Sequence, residues 1–450
     1  MRFFRLTASI LLLILAGMSD VSAGNVVTRW PHSVRKMDLS PGDTVTVADG
    51  VYENTYVQFL SKGRPEAPIV LRAQTPGGVV FSKGSSVKIA GSYLVLEGFR
   101  FEKQEGKVGS YVTFADTSAR CRVSDCLFDG SACAPDSRSR NFVQLRGSFN
   151  EVSHCAFLDK KTIGVCLAVN IAEGHEVHHV IKNNFFWRPY VYRDARGGRM
   201  NGQECIRVGS STWSLSKDAG CVVSDNWFWH CDGEIETISN KSCGNLYERN
   251  LLEECVGTIT LRHGNDCTVR DNYFIGNGRK GTGGVRIIGE RHLVENNKMY
   301  GLRGRGTYSA VSVINGFENP ELHEYFRVVG AVVRGNEIVD CGYGFHIALA
   351  MRPENVLKPE GLRIEDNVVV ASEKQKTVIM DMDPSKVKWK KNRIYGGVQE
   401  GSSFKETSRR PTLQDHTAAL DAIRSGAGVS YWKPQLSALN EYTGNQKLQD

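Results

Sequence analysis

Val223-Ser224-Asp225-Asn226-Trp227-Phe228, Tyr247-Glu248-Arg249-Asn250-Leu251-Leu252 and Val269-Arg270-Asp271-Asn272-Tyr273-Phe274 repeat one pattern: apolar, two variable positions, Asn, a variable position, apolar. Outward from this stretch the pattern, with Asn or Cys at its centre, occurs ten times in order. The centres are Cys126, Cys155, Asn184, Asn226, Asn250, Asn272, Asn297, Asn336, Asn367 and Asn392, between 22 and 42 residues apart. A unit this short, made of β-branched runs separated by Gly, Asn and Asp, cannot bury its own apolar face and must stack on its neighbours. Stacked parallel strands put equivalent residues roughly 4.8 Å apart. An Asn repeated at one turn can then hydrogen-bond the copies above and below it. The expected fold is all-β: a single-stranded, right-handed parallel β-helix. There is no Leu-x-x-Leu-x-Leu frame, and a propeller blade would need roughly 40 residues throughout.

Residues 39–52 and 69–101 share the alternating texture, so the coil is expected to start near residue 40, with residues 24–38 capping its first edge. After Asn392 the repeat stops, and 401–450 reads as a C-terminal segment packed on the coil with a partly mobile tail. The wider gaps place long loops at 187–222 and 300–332, candidate walls of a cleft. The composition agrees with this reading: 46 Gly, 13 Pro, 41% hydrophobic and 23% charged residues exclude disorder, a coiled coil and a helical bundle.

At the N-terminus, Arg2 and Arg5 precede the apolar run Ile10–Leu15 and the small residues Val21-Ser22-Ala23. This layout predicts a signal peptide over 1–23, export to the periplasm or the medium, and no membrane span after cleavage. The net charge of +7 over 450 residues is too mild for a nucleic-acid surface but suits a polyanionic partner. None of the 12 Cys pairs with zinc-site spacing, and Cys126 and Cys155 stand where other copies carry Asn. Stacked core thiols are expected, although Cys231 and Cys255 fall on adjacent rungs within reach of a bridge.

Counting from the ladder Asn locates the chemistry. From Asn226, alternation puts Glu234, Glu236 and Ile238 outward with Ile235 inward. From Asn250 it puts Thr258, Thr260 and Arg262 outward with Ile259 and Leu261 inward. Lys241 follows in the turn after the acidic strand. Adjacent carboxylates repel unless neutralised, and hard oxygen ligands on a rigid strand suit Ca²⁺. Asn201 and Glu204, one rung earlier, could add a third oxygen ligand and a supporting contact. The bland alternative for the Glu pair is solvated strand polarity.

These residues resemble the alginate lyase and chondroitinase B family of parallel β-helix polysaccharide lyases. The likeness rests on Glu234-Ile235-Glu236, Lys241, Arg262-His263-Gly264-Asn265, Gly283-Gly284-Val285-Arg286-Ile287-Ile288-Gly289 and Asn201-Gly202-Gln203-Glu204-Cys205-Ile206-Arg207, in order, and runs from about residue 30 to 395. It implies Ca²⁺ held by Asn201, Glu234 and Glu236, with Lys241 as Brønsted base and Arg262 as Brønsted acid in β-elimination of a 4-linked uronate polymer. The 284–289 stretch looks more like the alginate-cleaving members than those acting on chondroitin or dermatan sulfate. Around this centre, Arg286 could bind a substrate carboxylate or be solvated, and His263 could touch sugar or lie in the core. His346 could extend the cleft, and Tyr190, Tyr192 and Arg193 could wall it. A monomer is expected. The other readings are a β-helical glycoside hydrolase, a pectate-cleaving enzyme, and a polysaccharide-binding protein or adhesin without turnover.

Overall fold

The computed structural model describes residues 26–28, 33–34, 39–104, 109–136, 138–371 and 375–435; the expected signal peptide and the end of the C-terminal tail lie outside them. Among the described residues the chain winds through three parallel sheets of 14 strands each, the first from Val26–Thr28 to Lys388–Lys390, the second from Ser33–Val34 to Val398–Gln399 and the third from Gly50–Glu53 to Lys405–Glu406, so each strand inside a sheet pairs with the one a full turn earlier and the one a full turn later. This is a right-handed parallel β-helix. Its first rung begins before residue 40, because Val26–Thr28 pairs with Thr44–Val47 and Ser33–Val34 with Tyr56–Lys62. Two such short strands carry too little alternation to stand out in the sequence.

The ten-fold repeat is the corner between the first and third sheets. The residue just before each centre takes the left-handed conformation: Asp125 (φ 52°), Asn183 (φ 54°), Asp225 (φ 56°), Asp271 (φ 55°) and Asp366 (φ 54°) among them. That explains the Asp, Asn and Gly enrichment there, since these types tolerate positive φ best. So sharp a corner leaves backbone groups without ladder partners, and the Asn side chains supply them. Asn250 Oδ1 accepts from the Asn226 N–H at 3.1 Å, Asn272 Oδ1 from Asn250 N–H at 2.9 Å and Asn297 Oδ1 from Asn272 N–H at 3.1 Å. Each Asn amide also donates to a carbonyl one rung back, as Asn250 Nδ2 does to Val223 at 2.8 Å. Inside, the second apolar position of the repeat makes a stacked column in which Phe128, Phe157, Phe186 and Phe228 follow one another at centroid spacings of 4.9, 4.6 and 4.7 Å.

All twelve cysteines are free, eleven of them buried, and no bridge joins Cys231 to Cys255. Their sulfurs point instead at main-chain carbonyls, Cys231 Sγ lying 3.4 Å from Phe186 O and Cys255 Sγ 3.4 Å from Phe228 O.

A second ladder, which the sequence pattern did not reveal, runs along the corner between the second and first sheets. Asn150 accepts from Cys121 N–H (2.8 Å), His179 Nδ1 from Asn150 N–H (3.1 Å), Asn245 from Cys221 N–H (2.9 Å) and His292 Nδ1 from Cys267 N–H (3.2 Å). The alternation of Asn and His at one role hid it. It has a consequence for acid stability. Burial pushes His292 down to about 4 from its ordinary 6.5. The unfolded chain therefore binds the proton first as pH falls, and the folded state loses about 3 kcal/mol between pH 6.5 and 4 from this group. His292→Asn, which copies Asn245 two rungs earlier, should flatten that part of the melting-temperature profile. An unchanged acid slope would refute the assignment.

The C-terminal segment lies on the third sheet. Lys405–Glu406 pairs with Arg393–Tyr395. The helix Thr417–Gly426 and its sequel put Ile423, Ala427 and Val429 on Leu127, Ala156, Phe185, Trp227 and Leu251. Arg424 holds Glu253 at 2.7 Å and Ser430 donates to Asp125. That leaves the outer face of the second sheet for the site.

Candidate active site

Neighbouring strands of the second sheet, Ile206–Gly209, Glu236–Lys241, Thr258–His263 and Val285–Ile287, carry the candidate residues. The two middle strands are out of simple register. Glu236 pairs with Thr258 but Ile238 with Ile259, so Thr237 is an extra residue, a β-bulge. The bulge shifts the alternation by one. Ile238, expected outward, is fully buried in the core, and Ile235, expected inward, is half-buried outside it. A second shift pairs Asn240 with Leu261 but Lys241 with His263, which makes Arg262 the extra residue on its strand. Lys241 ends the acidic strand rather than sitting in the turn beyond it, because pairing with Gly209 and His263 continues through it.

Glu234 and Glu236 face the cleft side of the sheet but are not solvated: they are 6% and 7% exposed, and Glu204 is 2% exposed. Their carboxylate oxygens lie within 4.8 Å of one another. Close approach of the strands brings Glu204 in, since a Cβ on Gly233 would lie 2.4 Å from the Gln203 carbonyl oxygen. Arg188, fully buried, fastens this layer from below by donating to the carbonyls of Glu204 (2.9 Å) and Gly164 (3.1 Å). No sequence pattern singled it out.

The three carboxyls differ in their surroundings. Glu236 accepts from Arg286 and from Ser239 Oγ, and Arg262 Nε stands 3.8 Å away. Burial raises Glu236, but Arg286, Lys241, Ser239 and Arg262 together outweigh it and hold the carboxyl low. Glu234 accepts one bond, from Gly202 N–H at 3.1 Å. Burial first, then the charges of Glu204 and Glu236, push it up to about 9. Burial also raises Glu204, whose Oε2 is buried with no hydrogen-bond partner. An orphaned carboxylate oxygen beside two more carboxylates, in a place that desolvates all three, is a donor set that fits a hard divalent cation.

The other predicted residues fall into two groups. Arg286 joins the centre, buried against Glu236 rather than solvated. His263 joins it too, 1% exposed, its ring edge-on to Phe326 at 5.9 Å, and burial lowers it to about 2. Asn201 is exposed beside Gly202, the donor to Glu234, while Glu204 is grouped with the pair. His346 lies on the same outward column, two rungs past Arg286 through Ser312, and its Nε2 meets Asp381 Oδ2 at 2.9 Å. Tyr190 is half-buried, and Gln203 pins Tyr192 through both its N–H (2.6 Å) and its carbonyl (2.8 Å). Arg193 is exposed and closes its own small hairpin, pairing with Arg199 and donating to Gly197 O at 3.2 Å.

Arg262 has partners that strand spacing did not announce. Its guanidinium donates to the main-chain carbonyls of His323 and Glu324, and its Cζ lies 4.2 Å above the centre of the Tyr325 ring. Burial holds it below the usual guanidinium range.

Among curated proteins no sequence matches the chain. Solved structures do. A mannuronic acid specific polysaccharide family 6 lyase from human gut microbiota is 27% identical with a TM-score of 0.75, over 92% of this chain and 95% of that one. The PL6 family alginate lyase AlyGC is 28% identical with a TM-score of 0.81, over 90% of this chain but 59% of that longer one. A PL6 alginate lyase solved with a trisaccharide shares the fold at 20% identity and a TM-score of 0.75, over 88% and 91% of the two chains. Residues 33–418, nearly the whole described coil, match the family described as Chondroitinase B, and the chain belongs to that family of polysaccharide lyases.

Proposed function

We propose that this protein is an exported, Ca²⁺-dependent alginate lyase that cleaves a 4-linked uronate polymer by β-elimination. The observation that carries the reading is the buried carboxylate group Glu204, Glu234 and Glu236 set beside Lys241 and Arg262 on adjacent strands. The relatives at 27% and 28% identity, one mannuronic acid specific and one an alginate lyase, support alginate over the sulfated polymers. Export rests on the layout of residues 1–23.

Removing the C5 proton of a uronate is difficult because its ionised carboxylate opposes charge at the neighbouring carbon. Ca²⁺ held by Glu234, Glu236 and Glu204, with Asn201 as a further oxygen donor, supplies positive charge that offsets this opposition when bound. Lys241 accepts the C5 proton on its Nζ. Arg286 and Arg262 line the same face and bind the negative charge that builds up as the proton leaves. Arg262 also orients, by hydrogen bonding, the water that gives its proton to the departing O4; the hydroxide left behind takes the proton that Lys241 removed, and the guanidinium keeps its own tightly held proton. His263 stays uncharged because of its burial and therefore orients rather than exchanges protons.

Purified protein is incubated with alginate, chondroitin sulfate, dermatan sulfate and polygalacturonate while the absorbance of a new C4–C5 double bond is followed. Alginate should give the fastest rise, and chelator should abolish it until Ca²⁺ is returned. A faster rate on dermatan sulfate would move the substrate to the sulfated class. No double bond on any polymer would defeat the lyase reading of these residues and reopen the binding-protein alternative.

A further inference from the structure

The chain leaves the second sheet after Ile314 and enters the first sheet at Val332 by way of a closed loop over the site. Gly316 and Leu357 exchange both main-chain bonds at 2.9 Å, and Phe317 N–H donates to Tyr325 O at 3.0 Å. The base is drawn tight at Gly316, where a Cβ would lie 2.6 Å from Arg327 N. Arg327 Nε in turn donates to Lys358 O at 2.8 Å. Inside the loop Phe317 packs on Tyr325 at 6.3 Å, and Phe326 meets His263 at 5.9 Å. The tip is solvent-facing, with Leu322 52% exposed.

What this loop holds is the guanidinium of Arg262. Two carbonyls, of His323 and Glu324, accept from its two Nη groups, and the Tyr325 ring lies across its face at 4.2 Å. Only Nε is turned toward Glu236, at 3.8 Å. Because Arg262 is the bulged residue of its strand, the sheet fixes its Cα but no strand neighbour fixes its side chain. Without the loop, Arg262 would be free to collapse onto Glu236, already the partner of Arg286.

We propose that the loop 317–326 is a clamp that sets Arg262 in its working position, with Tyr325 as the positioning residue through its ring face. This rests on the reading of Arg262 as a group acting on the departing oxygen. Tyr325 does not touch the reacting atoms, and its hydroxyl is not what matters. The loop contributes orientation, which in a reaction of fixed geometry acts on turnover more than on binding.

The test compares Tyr325→Phe, which keeps the ring face, with Tyr325→Leu, which removes it, on the polymer cleaved fastest in the substrate panel. Tyr325→Leu should lower kcat roughly 10-fold with KM changed less than about two-fold, and Tyr325→Phe should stay within about two-fold of wild type in both. In an Arg262→Ala background, Tyr325→Leu should cost nothing further, because both act through one group. A Phe variant as slow as the Leu variant, or an effect confined to KM, would make Tyr325 a substrate contact and overturn the clamp. A crystal structure of Tyr325→Leu supplies a readout independent of turnover. Loss of the Arg262 bonds to His323 and Glu324 supports the clamp, and their retention overturns it. Full activity of Arg262→Ala alone would instead remove the catalytic reading of Arg262 and leave the structural arm to decide the clamp.

Discussion

Lys241→Ala lowers turnover by roughly 10²- to 10⁴-fold, the range typical for loss of a positioned general base, while binding of an oligosaccharide changes little. Lys241 ends the strand that carries Glu236, faces His263 across one rung and Gly209 across the other, and is close enough to bias Glu204, Glu234 and Glu236 electrostatically. The substitution leaves untouched the carboxylates that would hold the Ca²⁺ facing the substrate acid, so recognition persists. Lys241→Arg should not restore the rate. A guanidinium keeps its proton at any working pH and cannot accept another. Arg262→Ala should damage both kcat and KM, since that side chain meets substrate charge as well as the departing oxygen. The measurement is steady-state kinetics by double-bond absorbance, together with titration of an unreactive oligosaccharide. Wild-type turnover of Lys241→Ala would end the proposed mechanism.

Replacing Glu234 and Glu236 together by Gln should weaken Ca²⁺ binding by more than about 100-fold, since losing ligands exceeds the roughly 10- to 100-fold typical of losing a supporting partner. Activity at ordinary Ca²⁺ should fall to background. The coil should survive, because neither side chain enters the apolar core and Gln nearly matches the size of the buried Glu it replaces. Arg286 loses its ionic partner, so the melting temperature shifts modestly while the far-ultraviolet spectrum stays that of the β-helix. Calorimetric titration with Ca²⁺ measures the affinity directly. Undiminished Ca²⁺ affinity, or full activity of the double variant in excess chelator, would place the cation elsewhere or remove it from the mechanism.

Much of this protein was legible in the order of its residues. The period of the Asn repeat determined the fold, because a ladder needs the same donor and acceptor at each turn and leaves a trace at a fixed offset from the apolar positions. That trace also put Glu236 and Arg262 on neighbouring rungs, as the pairing confirms. The second ladder escaped because Asn150, His179, Asn245 and His292 fill one role with two residue types. Strand alternation failed at Ile235 and Ile238, since a bulge adds one residue and nothing in the local composition marks where. The burial of Glu234 and Glu236, the ion pair of Arg286 and the grip of Tyr325 on Arg262 were decided by tertiary structure alone. Each depends on a contact between segments 30 to 63 residues apart, brought together by the stacking of rungs and the path of a loop. Outside such bulges, alternation sets which way a side chain leaves its strand; what covers it, and hence its charge state, is settled only when the distant segment arrives.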